Sequence, residues 1–246
     1  MNKYGPAVIS LFDYTGILSK PWLDEGFRVF MFDQQLTNSN QGEGLYHIGG
    51  DYREWPDTIR GIYEAHLIAI VLSQPPCTDL SCNGARWMAG KLKANPRVFD
   101  EAMELVYFGR DIAEQYSTEQ YSIPYAIENP VSRVSTLWRK PNFTFHPYEF
   151  GGYLPEDHVP AHPLIPARDR YTKRTCIWSG NGFVEPKRKP VKLPDDYRYS
   201  PQHNMLGGRS LKTKNIRSMA PMGWAMALFL YNGVNIAWEG QVEEDE

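Results

Sequence analysis

Two side chains in this sequence have the types and surroundings for covalent chemistry, Cys77 and Glu128. Cys77 follows Pro75-Pro76 just after an apolar run, and a cysteine at such a junction can be exposed and reactive as its thiolate. Glu128 directly follows the apolar run 125–127, where burial favours a protonated carboxyl at neutral pH. This pair suits attack on an electron-poor ring whose nitrogen gains a proton as a ring carbon is attacked. The alternative for Cys77 is a small buried apolar group, as most cysteines are.

Acidic side chains follow three other apolar runs. Asp13, Asp33 and Asp51 each come just after a predicted strand. In open parallel sheets, ligands bind outside the carboxyl ends of the strands, so these carboxylates and Cys77 indicate one site. Each aspartate alone is also typical of a strand-end turn, and only the recurrence of the pattern favours a ligand site.

A basic segment lies inside an acidic chain. Residues 168–217 contain thirteen Lys or Arg and four Asp or Glu, a local charge of +9, whereas the whole chain carries −3. Lysine and arginine gain by displacing the counterions condensed on phosphates, which favours a polyanionic partner; the alternative is a solvated basic loop. We expect phosphate contacts from Lys187, Arg188, Lys189, Lys212 and Lys214.

Alternating strands and helices are predicted to position these residues. Apolar runs predict strands at 7–12, 27–32, 46–48, 67–72 and 125–127, and helical spacing predicts helices at 55–65, 98–115 and 219–231. Strands that alternate with helices indicate an α/β domain with a parallel sheet. After Asn142 the composition changes to Pro, Gly, His and Tyr, and residues 181–215 are interpreted as a small, loop-rich basic insert.

Length and composition exclude several classes of protein. The 246 residues allow one large hydrophobic core with a second, small hydrophobic cluster. The 13% of aromatic residues exclude a disordered chain. No apolar run reaches the roughly 18 residues of a membrane span, and the first residues lack an apolar signal region. Three cysteines form no dense disulfide pattern, and the histidines fit no zinc pattern. We therefore expect a soluble cytoplasmic protein without a metal and without membrane contact.

Several ordered motifs resemble the DNA (cytosine-5)-methyltransferase family across nearly the whole chain. The Pro-Cys motif in PPCTDLSCNG (75–84) is similar to the catalytic loop of that family, and Glu128-Asn129-Pro130 to its Glu-Asn-Val triplet. LFDYTG (11–16) resembles the glycine-rich methionine-binding loop of that family. Gly50-Asp51 resembles a Gly-Asp pair in the same family. Further matches are Asp33, Arg174 in TKRTCIWSG and a closing helix at 217–231.

The resemblance implies a Rossmann-like S-adenosylmethionine-dependent methyltransferase sheet with a small loop-rich second region. Residues 1–180 would bind the cofactor and carry the chemistry, 181–215 would form a small target-recognition-like region, and 216–246 would return as a helix with an acidic tail. The implied activity is methyl transfer from S-adenosylmethionine to C5 of cytosine in DNA.

Residue roles follow from the same resemblance. Cys77 would add to cytosine C6, Glu128 would act at N3, Asn129 would position the loop and Arg174 would orient the base. Ser81 would contact DNA. The implied cofactor contacts are Phe12, Asp13, Gly16, Ile17, Asp33, Asp51 and Pro76.

Departures from the family pattern leave two other functions open. Only Gly16 remains of the glycines in the first loop, and residues 181–215 leave little room for a recognition domain. Sequence specificity should therefore be short, relaxed or supplied by a protein partner. One alternative is a related enzyme that modifies a free pyrimidine nucleotide or transfers another group. The other is a non-catalytic methyltransferase-like protein that binds DNA. The sequence leaves the oligomeric state open.

Overall fold

The computed structural model describes residues 6–81, 87–207 and 210–233, which fold around an eight-stranded mixed sheet. Its strands are β1 (Ala7–Leu11), β2 (Arg28–Phe32), β3 (Ser39–Gly42), β4 (Leu45–Ile48), β5 (Ile68–Ser73), β6 (Tyr125–Pro130), β7 (Phe143–Phe145) and β8 (Thr175–Gly180). The helices are α1 (Lys20–Asp24), α2 (Trp55–Ala65), α3 (Met88–Ala94), α4 (Val98–Tyr116), α5 (Val134–Leu137), α6 (Pro201–Met205), α7 (Leu211–Ser218) and α8 (Met222–Asn232).

The sheet is mostly parallel, as the alternating pattern predicts. Its spatial order is β3-β4-β2-β1-β5-β6-β8-β7, and the five strands from β4 to β6 are mutually parallel. In chain order these five strands stand third, second, first, fourth and fifth, so the direction of winding reverses between β1 and β5. This order is compatible with a Rossmann-like fold, in which the crevice at the reversal point is where ligands bind. β3 and β8 run antiparallel to their neighbours at the two sides of the sheet.

Helices cover both faces of the sheet, which explains the continuous apolar runs of the central strands. Every residue of β1 and β5 is buried. One core lies between the sheet and α2 with α4, and the other between the sheet and α1 with α8. At Gly109 a Cβ atom would lie 2.7 Å from Ser73 Cβ, so α4 packs against the end of β5 as closely as a glycine allows.

The far side of the sheet differs from the sequence prediction. β6 does not end at Ile127, because it pairs with β8 along its whole length, from Tyr125 opposite Gly180 to Pro130 opposite Thr175. The segment after Asn142, where the composition changes and no strand is predicted, contributes the two strands β7 and β8. Within the described ranges, no helix is long and apolar enough to cross a membrane.

Candidate functional site

A strained turn shapes the carboxyl end of β1. Phe12 has a φ of 58°, a conformation unfavourable for a bulky residue, and its ring packs 5.4 Å from the ring of Trp55. The next residue, Asp13, is fully buried and accepts hydrogen bonds from Ser10 Oγ (2.9 Å), Gly16 N (2.8 Å) and Ser19 Oγ (3.2 Å). Burial raises the pKa of Asp13. Its carboxyl group is thus a structural group of the turn, with both oxygens bonded within the chain.

The other two predicted cofactor carboxylates lie at the ends of their strands, in different surroundings. Asp33, 8% exposed, follows β2 and accepts a hydrogen bond from Gln35 N (2.8 Å). Burial raises the pKa of Asp33. Asp51 follows β4 and is exposed, and hydrogen bonds from Arg53 lower its pKa to about 2. A ligand at Asp51 would therefore share its carboxylate with Arg53.

Cys77 lies in a helical turn just beyond β5. Its carbonyl oxygen accepts hydrogen bonds from Leu80 N (3.1 Å) and Ser81 N (2.8 Å). Ser81 also forms an antiparallel bridge with Ser132, just after β6. Pro76, before the turn, is exposed, and the thiol of Cys77 is half-buried. The cysteine thus sits at the carboxyl edge of the sheet with its turn held against the next strand.

Two hydrogen bonds join the Cys77 segment to β6. Gln74 Nε2 donates to Glu128 Oε2 (3.1 Å), and Asn129 Nδ2 donates to Pro75 O (3.0 Å). Asn129 is fully buried, and its Oδ1 has no hydrogen-bond partner among the described residues. Removing one side of a buried hydrogen bond costs about 1–3 kcal/mol, so these contacts fix the segment before Cys77. The structure therefore places Glu128 and Asn129 against the segment that leads into Cys77.

The thiol experiences opposing electrostatic effects. Burial raises the pKa of Cys77; the charges of Lys173 and Arg217 lower it, and that of Glu128 raises it. Glu128 is 8% exposed, so its carboxyl and the thiol share a poorly hydrated environment. The Cys77 thiol thus experiences the charges of one carboxyl group and two cations.

Arg174 stands apart from this group. Its side chain is exposed, and its charge acts on His146 and Cys176. The preceding residue, Lys173, is half-buried, acts on Cys77 and lies with its Nζ 3.5 Å from Met219 O.

The basic segment divides into engaged and exposed side chains. Arg188 donates to Thr144 O (2.7 Å) and lies 3.4 Å from Glu149 Oε2. Lys187 is exposed, and Lys189 Nζ lies 5.5 Å from the centre of the Tyr153 ring. Lys212 and Lys214 are exposed on α7.

Helix α7 connects two parts of the site. Ser210 caps its first turn by accepting from Thr213 N (3.2 Å). Asn215 Nδ2 donates to Gln35 Oε1 (2.9 Å), beside Asp33, and Arg217 acts on Cys77. Asn215 thus joins the helix to the loop after β2, a contact that no local pattern in the sequence indicates.

Asp169 is a buried acid that sequence reasoning missed. It is 1% exposed, and its Oδ2 accepts from Gly223 N (2.7 Å) at the start of α8. Arg168 and Asp169 both have positive φ values, 53° and 50°, which aim the carboxylate at the helix N-terminus. Burial raises the pKa of Asp169 to about 7. Tyr171, close by, is fully buried, and its hydroxyl lacks a hydrogen-bond partner in the described part of the chain.

Some predicted features lie outside the described residues, namely Cys82, Asn83 and Gly84 of the Pro-Cys motif (75–84) and the acidic tail. Within 6–81, 87–207 and 210–233, no group of three His, Cys, Asp or Glu side chains is arranged to hold a metal ion. In comparisons with known proteins, the chain matches no family model and no curated protein.

Proposed function

We propose that this protein transfers a methyl group from S-adenosylmethionine to C5 of cytosine in DNA. The observation that carries the proposal is the grouping of Cys77, Glu128 and Asn129 where β5 and β6 end, next to the point at which the sheet reverses. A nucleophile and an acid on neighbouring strands, fixed by hydrogen bonds, are the groups that addition to a pyrimidine ring requires.

The chemistry of these residues follows from the ring they attack. Cytosine must first leave the base stack, because its C6 cannot be reached within a duplex. The Cys77 thiolate then bonds to C6 while the Glu128 carboxyl donates a proton to N3, and the displaced electron pair makes C5 nucleophilic. After C5 has been methylated, loss of the C5 proton to solvent reforms the C5–C6 double bond and expels Cys77 as thiolate. N3 returns its proton to Glu128.

The residues present fit the proposed cofactor at two points. Asp33 offers a nearly buried carboxylate at the end of β2, the position from which an acidic side chain binds a ribose in such folds. Gly16, with a φ of +68°, lets the turn after β1 keep its backbone close to a ligand. When bound, S-adenosylmethionine supplies an electrophilic methyl group on a sulfonium. Asp51 would hold the adenine amine in competition with Arg53.

The substitution Asp33→Ala should weaken S-adenosylmethionine binding about tenfold, because a hydrogen bond to a charged group contributes about 1.5–3 kcal/mol. Asp51→Ala should weaken it less, since Arg53 already engages that carboxylate. Isothermal titration calorimetry of both variants measures the difference. Unchanged affinity in both would remove the proposed cofactor site.

Duplex DNA should bind with a salt dependence to which Lys212 and Lys214 of α7 contribute up to half. Each phosphate contact contributes about −0.9 to the slope of log K against log salt, so four contacts give about −3.6. Replacing Lys212 and Lys214 by Ala should make the slope shallower by up to about 1.8 for all sequences alike. Arg188→Ala is the matched control with a smaller expected effect, because Glu149 and Thr144 already engage Arg188. Fluorescence anisotropy at several salt concentrations tests this, and a flat wild-type profile would contradict a DNA substrate.

A second candidate is C5 modification of a free pyrimidine nucleotide. The engagement of Arg188 with its own chain favours it, because that side chain is then less available to a phosphate backbone. Incubation with labelled S-adenosylmethionine and either mixed-sequence duplex or cytidine nucleotides, followed by nucleoside analysis, separates the two. The proposal predicts 5-methylcytosine in the DNA. Label in the free nucleotides alone would replace it with the second candidate.

A further inference from the structure

A hydrogen bond between two neighbouring strands holds one oxygen of the Glu128 carboxyl group. Gln74 Nε2, just beyond β5, donates to Glu128 Oε2 on β6 over 3.1 Å. Glu128 is 8% exposed, so few water molecules compete for this bond. Among the described residues, none forms a hydrogen bond with the other oxygen, Oε1. One oxygen of the carboxyl group is thus held by the protein, and the other is left for a ligand.

Both partners of this bond are anchored through the backbone. Gln74 N donates to Leu11 O at the end of β1 (3.0 Å), and the following Pro75 restricts Gln74 to an extended conformation. Glu128 lies within the ladder that β6 forms with β8. Beside it, Asn129 Nδ2 donates to Pro75 O (3.0 Å) and ties the two strand ends together. The amide of Gln74 therefore has little freedom to move away from the carboxyl group.

An amide N–H fixes where the proton of a neutral Glu128 lies. The N–H donates to a lone pair, so Oε2 acts as the acceptor, which in a neutral carboxyl group is the carbonyl oxygen. The proton is then on Oε1, the oxygen left for a ligand. Oε1–H can donate to cytosine N3, which carries a lone pair. Uracil N3 carries a hydrogen instead, so two donors would face each other and the complex would lose a hydrogen bond.

We propose that Gln74 is the positioning residue that selects cytosine over uracil, because its amide keeps the proton of Glu128 on Oε1. Gln74 acts through Glu128 and need not touch the base. The inference rests on the proposed function in taking Cys77 as the nucleophile and Glu128 as the group that meets N3. It does not depend on which group is then transferred to C5.

The test is the release of tritium from C5 of the base, a reaction that requires no methyl donor. Addition of the Cys77 thiolate to C6, with a proton passing from Glu128 to N3, makes C5 nucleophilic, and C5 takes up a proton from water. Loss of tritium to water then reforms the C5–C6 double bond and expels the thiolate, and N3 returns its proton to Glu128. The probes are mixed-sequence duplexes that carry either cytosine or uracil, tritiated at C5, opposite guanine. The readout is the ratio of the two release rates for the full chain.

Gln74→Glu keeps the shape of the side chain and replaces the N–H donor by an acceptor. Two carboxyl groups this close share one proton, which then lies between residue 74 and Oε2 and leaves Oε1 without it. The ratio of cytosine to uracil release should fall about 10²-fold, the lower end of what a general acid contributes. A negative charge added to the pair slows the thiol at both bases alike, so it cancels in the ratio. Gln74→Met, with neither donor nor acceptor, should lower the ratio about tenfold.

Gln115→Glu, the same chemical change at an exposed position of α4, is the matched control and should keep the parent ratio. The parent ratio in both Gln74 variants overturns the inference, as does an equal fall in Gln115→Glu. If Gln74→Glu does not fold, Gln74→Met decides, because it adds no charge to the interior. Tritium release without methyl transfer in the parent contradicts the proposed function alone, whereas no release from either base contradicts both.

Discussion

Cys77→Ser should lose methyl transfer to DNA by about 10⁴-fold or more, the scale expected when the nucleophile of a covalent mechanism is removed. A serine hydroxyl in this half-buried position stays protonated at neutral pH, and the turn around residue 77 contains no base comparable to the histidine of a serine hydrolase. Steady-state transfer of labelled methyl groups measures the loss.

The matched control is Cys176→Ser, on β8. Cys176 is buried in the core between the sheet and α4, and it pairs with Asn129 across β6 and β8. The substitution therefore tests whether any loss of a buried cysteine on this side of the sheet impairs the protein. It should reduce stability and leave the chemistry of the folded fraction close to that of the parent. Cys77→Ser with near-normal turnover would exclude the proposed nucleophile.

Asp169→Asn should make the protein more stable at pH 8 by up to about 4 kcal/mol, the free-energy equivalent of a pKa raised from 3.8 to about 7. The folded state keeps Asp169 protonated between these values while the unfolded state ionises it. The free energy of unfolding of the parent should therefore fall as the pH rises from about 4 to about 7. Asparagine keeps an oxygen acceptor for Gly223 N and has no charge to desolvate.

Urea unfolding at several pH values between 4.5 and 8 measures this difference directly. Asp13 and Asp33, whose pKa values burial also raises, are present in both proteins, so the difference between the curves reports Asp169. Asp196→Asn, at an exposed acid, is the control and should track the parent. Curves for Asp169→Asn and parent that stay parallel across the range would show that Asp169 is ionised in the folded protein.

The central sheet could be predicted from the sequence because its strands are buried on both faces. β1 and β5 are continuous apolar runs, and helix α2 begins and ends at the predicted residues. β8 was missed because Thr175–Gly180 holds only three apolar residues between polar ones, too few for a periodic pattern. Without β8, the sequence gives no reason for β6 to continue through Pro130, because the last residues of β6 pair with β8.

The site could be predicted where its residues follow strands in the chain. Cys77 and Glu128 lie at the same edge of the sheet because β5 and β6 are parallel neighbours, and the alternation of strands and helices predicts a parallel sheet. The contacts that could not be predicted join distant positions: Asp169 with Gly223 across 54 residues, and Asn215 with Gln35 across 180.

Covalent trapping on DNA that contains 5-fluorocytosine tests the central claim most directly. Fluorine at C5 cannot leave as a proton does, so the sulfur that adds to C6 stays attached after methyl transfer. The account predicts a protein–DNA complex that survives denaturation, requires S-adenosylmethionine and maps by peptide mass to Cys77. No trapped complex, or one that maps to Cys82, would contradict it.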